Sequence, residues 1–211
     1  MALDLEEQEQ VDELKAWWKQ HGNKAMVLVS VFALGVAGWS AWKSYQSKQT
    51  HEAVVLFEVL RKELPANNVK RIREVAGQII EKYPRTPYAV DAAMFMAKAN
   101  FENGDAKSAK TQYQWIIEHA KQTQAKDLAQ MRLAIVLLDE KDFSGAIKLL
   151  DAKHDSAFDP LYNDIKGDVY ALQGLSKEAR VAYQAAIATL AKDAPFKNYI
   201  QIKLDALGEQ G

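Results

Sequence analysis

Few side chains in this sequence could carry out catalysis or bind a metal ion. The 211 residues include no cysteine and four histidines, which are His21, His51, His119 and His154. The histidines lie too far apart for two of them to bind one metal ion from a single helix. Asp151, Asp155 and Asp159 surround His154 at spacings of four, but the segment lacks the glycine turn of a calcium loop. There is also no glycine-rich phosphate loop, His-Glu-x-x-His or Gly-x-Ser-x-Gly motif, so we expect no active site, no metal and no cofactor.

The composition excludes several further classes of protein. Without cysteine the chain cannot form disulfides, zinc ribbons, iron–sulfur clusters or a thiol nucleophile, and it lacks the lipid-modified cysteine of a bacterial lipoprotein. Its 27 Lys and Arg are balanced by 28 Asp and Glu. Because binding a phosphate backbone requires a basic excess, nucleic acid is not an expected partner.

The first predicted helix comes from an uncharged run over residues 25–42, AMVLVSVFALGVAGWSAW. A helix of eighteen residues is about 27 Å long, close to the roughly 30 Å thickness of a bilayer's hydrocarbon core. Residues typical of membrane interfaces lie just before the run, at its close and just after it: Trp17, Trp18, Lys24, Trp39, Trp42, Lys43 and Tyr45. The run therefore predicts a transmembrane helix.

Two other interpretations of this run are less consistent with its surroundings. A buried core helix is usually amphipathic and is not expected to have Trp and Lys at both ends. A cleaved signal peptide begins with a short basic segment, whereas residues 1–24 contain three lysines and six acids. We therefore expect an uncleaved anchor, in which Ala33, Ala37, Gly38 and Ala41 would let a second membrane helix approach closely. The alternative is that these small residues are simply common in membrane helices.

The charges near the run do not determine its orientation. Three Lys precede it and four Lys or Arg follow within about 20 residues. A short acidic tail before a long domain favours a cytoplasmic tail, since long domains translocate largely regardless of charge. The expected organisation is a cytoplasmic tail over residues 1–24, a membrane helix over 25–42, and an extracytoplasmic domain over 43–211.

The rest of the chain has the pattern of an all-α protein. Apolar residues recur at spacings of three and four, without sustained alternation, and Gly or Pro punctuates the chain at intervals that suit helix ends. Asp105 is a candidate N-cap. The predicted helices lie near residues 43–63, 68–83, 87–103, 105–121, 126–140, 143–152, 161–173, 176–192 and 196–207.

Successive helix pairs share a spacing of small and aromatic residues. In the last pair the series is Gly167, Tyr170, Gly174, Ala179, Tyr183 and Ala186. Ala146 lies 33 residues before Ala179, and Ala109 lies 37 before Ala146. This is the spacing of tetratricopeptide repeats, in which small residues allow the two helices of a hairpin to cross closely. The first pair fits less well, as terminal repeats often do.

In such repeats the first helix of each pair lines a concave groove that binds partners. The groove residues expected here are Met94, Lys98, Phe101, Met131, Ile135 and Leu138, with Asp91, Leu128, Leu161, Asp164 and Asp168 around them. Because this lining is largely apolar, we expect it to bind a protein segment. Only Lys98 is available to clamp a C-terminal carboxylate. The alternative for Ile135 and Leu138 is that they pack against the neighbouring hairpin.

The sequence as a whole resembles one family. An acidic tail, a helix flanked by Trp and Lys, the segment Tyr83-Pro-Arg-Thr-Pro-Tyr-Ala89, Arg132-Leu-Ala134, and Gly167-Asp168 followed by Gly174 and Ala179 are similar to the YfgM family of ancillary SecYEG translocon subunits. This resemblance implies an inner-membrane protein with a periplasmic tetratricopeptide-like domain, working beside the SecYEG translocon with a periplasmic chaperone of the PpiD kind. It implies no catalytic residues.

Three functions remain open at the level of sequence. The first is a membrane-tethered adapter that receives or hands over translocated chains outside the inner membrane. The second is a targeting receptor, also anchored at its N-terminus, with its repeats in the cytosol. The third is a subunit of an enzyme whose catalytic residues lie on another chain.

Overall fold

The computed structural model describes residues 5–191 and 193–208, and within them every regular element is helical. The elements are α1 (Leu5–Glu63), α2 (Val69–Lys82), α3 (Pro87–Glu102), α4 (Ala106–His119), α5 (Thr123–Asp139), α6 (Phe143–Leu150), a short 3₁₀ segment (Ser156–Phe158), α7 (Asp159–Leu172), α8 (Ser176–Ala188) and α9 (Pro195–Ala206). The all-α prediction is confirmed.

Most predicted helices are present within a few residues of their expected ends. The main difference is that the predicted helix 43–63 is only the last part of α1, which runs without a break from Leu5 to Glu63. The sequence contains no proline before Pro65, so nothing forces the helix to end earlier.

The chain divides into two compact units, Met1–Gln49 and Thr50–Gly211. In the described part of the chain, one helix is long and apolar enough to cross a membrane by its length and composition, with an 18-residue window of mean hydropathy 1.8. None of that window is buried.

Several helices of the second unit begin at a side-chain N-cap or end at a glycine turn. The Asp105 carboxylate accepts a hydrogen bond from the Ser108 amide at 3.1 Å, which confirms Asp105 as the N-cap of α4. Asp142 caps α6 in the same way, through the Gly145 amide at 2.9 Å. Gly104 and Gly174 follow α3 and α7 with φ of +80° and +76°, a left-handed conformation that favours glycine.

The core of the second unit is a series of apolar clusters, each shared between neighbouring helices. The first joins Leu60 at the end of α1 to Ile72 and Ile79 of α2 and to residues of α3. The next two centre on Tyr113 of α4 and Tyr162 of α7, and the last joins α8 to Ile200 and Leu204 of α9. Because each pair of helices packs mainly on its neighbours, the first helices of successive pairs present equivalent residues to one surface.

Candidate partner-binding surface

The candidate surface is built from α3, α5 and α7, the first helices of three successive pairs. On α3, Met94 and Phe101 are half-buried and pack against the cluster around Tyr113. Lys98 lies between them in sequence and is exposed, with its Nζ 3.7 Å from a carboxylate oxygen of Glu102. This part of the surface is therefore apolar with one accessible cation.

On α5 the predicted residues divide into accessible and buried ones. Ile135 and Leu138 are half-buried and pack against the cluster that contains Tyr162 of the following pair. They therefore contribute to packing and keep part of their surface exposed. Met131 is only 6% exposed and belongs to the core itself. Its burial removes it from the surface a partner could reach directly.

On α7 the two carboxylates expected in the groove are already paired within the chain. Lys203 of α9 bonds to both oxygens of Asp164, at 2.9 and 3.0 Å, and to Asp168 at 2.7 Å. The hydroxyl of Tyr183 donates a hydrogen bond to Asp168 at 2.7 Å. The Lys203 ammonium also lies over the Tyr199 ring, 4.6 Å from its centre. Helix α9 therefore closes this end of the surface.

Burial sets the electrostatics of this cluster. Burial raises the pKa of the Asp164 carboxyl, although the bond and charge of Lys203 oppose that rise. Burial acts to lower the pKa of Lys203, but its bonds to Asp168 and Asp164 outweigh this and raise it overall. One cation thus serves two carboxylates, an arrangement that holds α9 in place.

Sequence reasoning missed Lys203 because it lies 35 and 39 residues beyond the carboxylates it binds. It also did not assign to the groove Tyr113, which lies in the cluster that Phe101 packs against, or Arg132, which follows Met131 in sequence. An available signal was the spacing of Asp164 and Asp168, which at four residues apart lie on one face of α7, where a buried pair of carboxylates needs a cation or hydrogen-bond donors.

The small residues of the first unit lie on an open helix surface. Ala33, Ala37, Gly38 and Ala41 are all exposed, and a Cβ added at Gly38 would meet no atom within 4 Å. Space for a closely packed second helix is therefore present along this face.

Two shallow clefts lie elsewhere in the second unit. One, of about 530 Å³, lies between α4 and α5 and includes Trp115, Leu133 and Leu137. The other, of about 400 Å³, lies between α7 and α8 and includes Tyr170 and Val181. No group of three or more His, Asp or Glu residues is arranged to hold a metal ion in the portions of the chain described, 5–191 and 193–208.

Comparisons with known proteins agree with this architecture. Residues 15–209 match the family described as a tetratricopeptide repeat-like domain. A crystal structure of kinesin light chain nearly identical TPR-like repeats from Podosopora anserina superposes with a TM-score of 0.57 at 16% identity, over 74% of this chain and 84% of that chain. At this identity the likeness shows the fold alone.

Relatives in sequence extend over nearly the whole chain. An ancillary SecYEG translocon subunit of Neisseria gonorrhoeae is 31% identical, over 98% of this chain and 100% of the relative. The Escherichia coli ancillary SecYEG translocon subunit is 23% identical, over 98% and 99% of the two chains. By this identity over full length, together with the repeat-like domain, the chain belongs to the YfgM family of ancillary SecYEG translocon subunits.

Proposed function

We propose that this chain is a single-pass adapter of the bacterial Sec translocon, which links translocated chains to periplasmic chaperones through the surface of α3, α5 and α7, the concave surface expected of such repeats. The observation that supports this most directly is the combination, in one chain of this family, of a helix able to cross a membrane with a tetratricopeptide repeat-like domain. In this proposal residues 1–24 are cytoplasmic, 25–42 span the inner membrane and 43–211 are periplasmic.

The concave surface supports an adapter role through its chemistry. Met94, Phe101, Ile135 and Leu138 are half-buried apolar side chains. Flexible Met and branched apolar side chains adapt to different segments, as a protein that handles many chains requires. The apolar lining therefore favours contact with an extended or helical protein segment over a small ligand.

The membrane helix and the domain are proposed to bind different partners. The open small-residue face at Ala33, Ala37, Gly38 and Ala41 suits a membrane helix of SecYEG. The periplasmic domain would then meet emerging chains and a chaperone of the PpiD kind. Tethering both contacts in one chain raises their effective concentration at the translocon.

Site-specific photo-crosslinking in intact cells tests this function. A photoreactive amino acid replaces Lys98 on the concave surface or, as a control, Lys177 at the start of α8; both side chains are exposed. The expected result is that position 98 captures translocated chains or a periplasmic chaperone, whereas position 177 captures much less. Equal capture at both positions would contradict a role for the concave surface.

Protease added to spheroplasts tests the orientation in the same cells. If the domain is periplasmic, the protease digests it while the inner membrane is sealed. Complete protection would contradict the periplasmic assignment and would instead fit the receptor with cytosolic repeats.

A further inference from the structure

The two ends of the concave surface differ in how their polar groups are paired. At the α7 end, the Tyr183 hydroxyl donates to Asp168, and Asp168 forms an ion pair with Lys203 at 2.7 Å. A tyrosine of the second helix, a carboxylate of the first helix and a cation of the next helix are thus satisfied together. The repeat geometry can therefore bring a tyrosine, a carboxylate and a cation from three successive helices into contact.

The α3 end has the tyrosine but lacks the carboxylate. Tyr113 follows Ala97 by sixteen residues, as Tyr183 follows Gly167, so Lys98 occupies the position equivalent to Asp168. Tyr113 is 2% exposed, and within residues 5–191 and 193–208 its hydroxyl has no hydrogen bond. The acceptor that its counterpart finds on the same chain is therefore missing here.

The α3 end also has an unpaired cation from the next helix. Arg132 of α5 is exposed and directly precedes Leu133, which is buried in the same cluster as Tyr113. Among the described residues the Arg132 guanidinium has neither an ion pair nor a hydrogen bond. Burial raises the pKa of Tyr113, the charge of Arg132 acts against that rise and the charge of Glu102 adds to it, so both charges lie within electrostatic reach of the phenol.

We propose that the surface between α3 and α5 recognises an acidic side chain, flanked by apolar residues, within a bound polypeptide segment. This rests on the proposed function and adds the chemistry of the segment. The carboxylate accepts hydrogen bonds from Arg132 and the Tyr113 hydroxyl, in the place that Asp168 takes at the other end. Phe101, Met94 and Ile135 contact the apolar residues on either side, and Lys98 lies at the rim, where Glu102 shares its charge.

The test is fluorescence anisotropy with the full-length protein in lipid nanodiscs and three short, capped peptides. Each peptide has leucines on both sides of one central position, which is aspartate, asparagine or lysine. Bonds between a charged group and its partner are stronger than neutral ones, so the aspartate peptide is expected to bind roughly tenfold more tightly than the asparagine peptide. The lysine peptide is expected to bind most weakly.

Single substitutions identify the residues that cause the preference for aspartate. Arg132→Gln is expected to reduce the ratio of the aspartate and asparagine dissociation constants to near one, and Tyr113→Phe to reduce it severalfold. Arg85→Gln is the matched control, since Arg85 is an exposed arginine in the turn before α3, and it should leave the ratio unchanged. Far-ultraviolet circular dichroism confirms that each variant is folded.

The outcomes separate this inference from the proposed function. If all three peptides bind equally and Phe101→Ala weakens all of them, the surface binds apolar segments but the acidic preference is wrong. Tighter binding of a peptide whose only acid is its free C-terminal carboxylate would also overturn the inference. If no peptide binds, both the inference and the proposed use of this surface are overturned.

Discussion

Tyr113, Tyr162 and Tyr183 are almost fully enclosed, and each is 3% exposed or less. Burial raises the pKa of all three phenols, the charge of Asp127 adds to the rise at Tyr162, and the hydrogen bond to Asp168 adds to it at Tyr183. The Tyr162 hydroxyl donates to the backbone oxygen of Asp127 at 2.7 Å, which joins α5 to α7. The Tyr162 and Tyr183 hydroxyls can donate these hydrogen bonds only while they are protonated.

This burial predicts a loss of stability in alkaline solution. Unfolded tyrosines lose their protons near pH 10, whereas the folded phenols keep theirs, so above pH 10 the unfolded chain binds fewer protons. The stability these tyrosines contribute is complete below pH 10 and falls above it, by up to about 1.4 kcal/mol per pH unit for each tyrosine. Lys203, with its raised pKa, contributes in the same direction above pH 10.5.

Urea unfolding between pH 9 and 11 measures this effect. Tyr183→Phe is expected to lower stability at neutral pH by about 1 kcal/mol through the lost hydrogen bond, and to make the alkaline decline less steep. Tyr199→Phe is the matched control, because Tyr199 is 53% exposed and meets water in both states. An identical slope in Tyr183→Phe and the parent protein would show that burial of this phenol does not control its ionisation.

At the scale of elements, one close helix crossing decides how α7 and α8 pack. A Cβ at Gly167 would collide with the ring of Tyr183, so only glycine allows this ring to lie against α7. The equivalent positions in the two preceding pairs are Ala97 and Ala134, which are fully buried. The last pair is therefore packed more closely than the others at this point.

Two glycine-to-alanine substitutions test this packing. Gly167→Ala is expected to destabilise the domain by about 1–3 kcal/mol, because overpacking outweighs the gain in helix propensity. Gly77→Ala is the matched control in α2, where a Cβ would meet nothing within 4 Å, and it should stabilise by about 0.5–1 kcal/mol. Urea midpoints of the two variants are the measurement. Equal stabilisation in both would mean that Tyr183 moves aside without cost.

At the scale of the whole molecule, the two units differ in whether they bury their own apolar residues. The apolar window of the first unit is entirely exposed, which is stable only when the window is in contact with lipid or another apolar surface. The second unit contains its own clusters from Leu60 to Leu204. We therefore expect this unit to fold without the apolar window.

A fragment of residues 50–211 is expected to be soluble and helical, and to unfold in one cooperative transition, since neighbouring repeats bury a continuous core. Circular dichroism and ultracentrifugation of the fragment provide the measurement, and the full chain, which should sediment with membranes, is the control. An aggregated or largely unfolded fragment would show that the first unit is part of the domain's folding core.

The sequence by itself determined the local features of this protein. The uncharged run over residues 25–42, the cap at Asp105, and the breaks at Gly104 and Gly174 depend on contacts within a few residues, so the sequence pattern alone indicates them. The repeat spacing likewise indicated which helices pair, because small residues must occur where helices cross.

Only the tertiary structure decided which groups are accessible and which charges are paired. Met131 and Ile135 are both apolar and both on α5, yet one is in the core and the other is half-exposed. Lys203 pairs with Asp164 and Asp168 across more than thirty residues. Burial and ion pairing depend on the angle at which whole helices pack, and that angle results from many side chains together rather than from the spacing of any few.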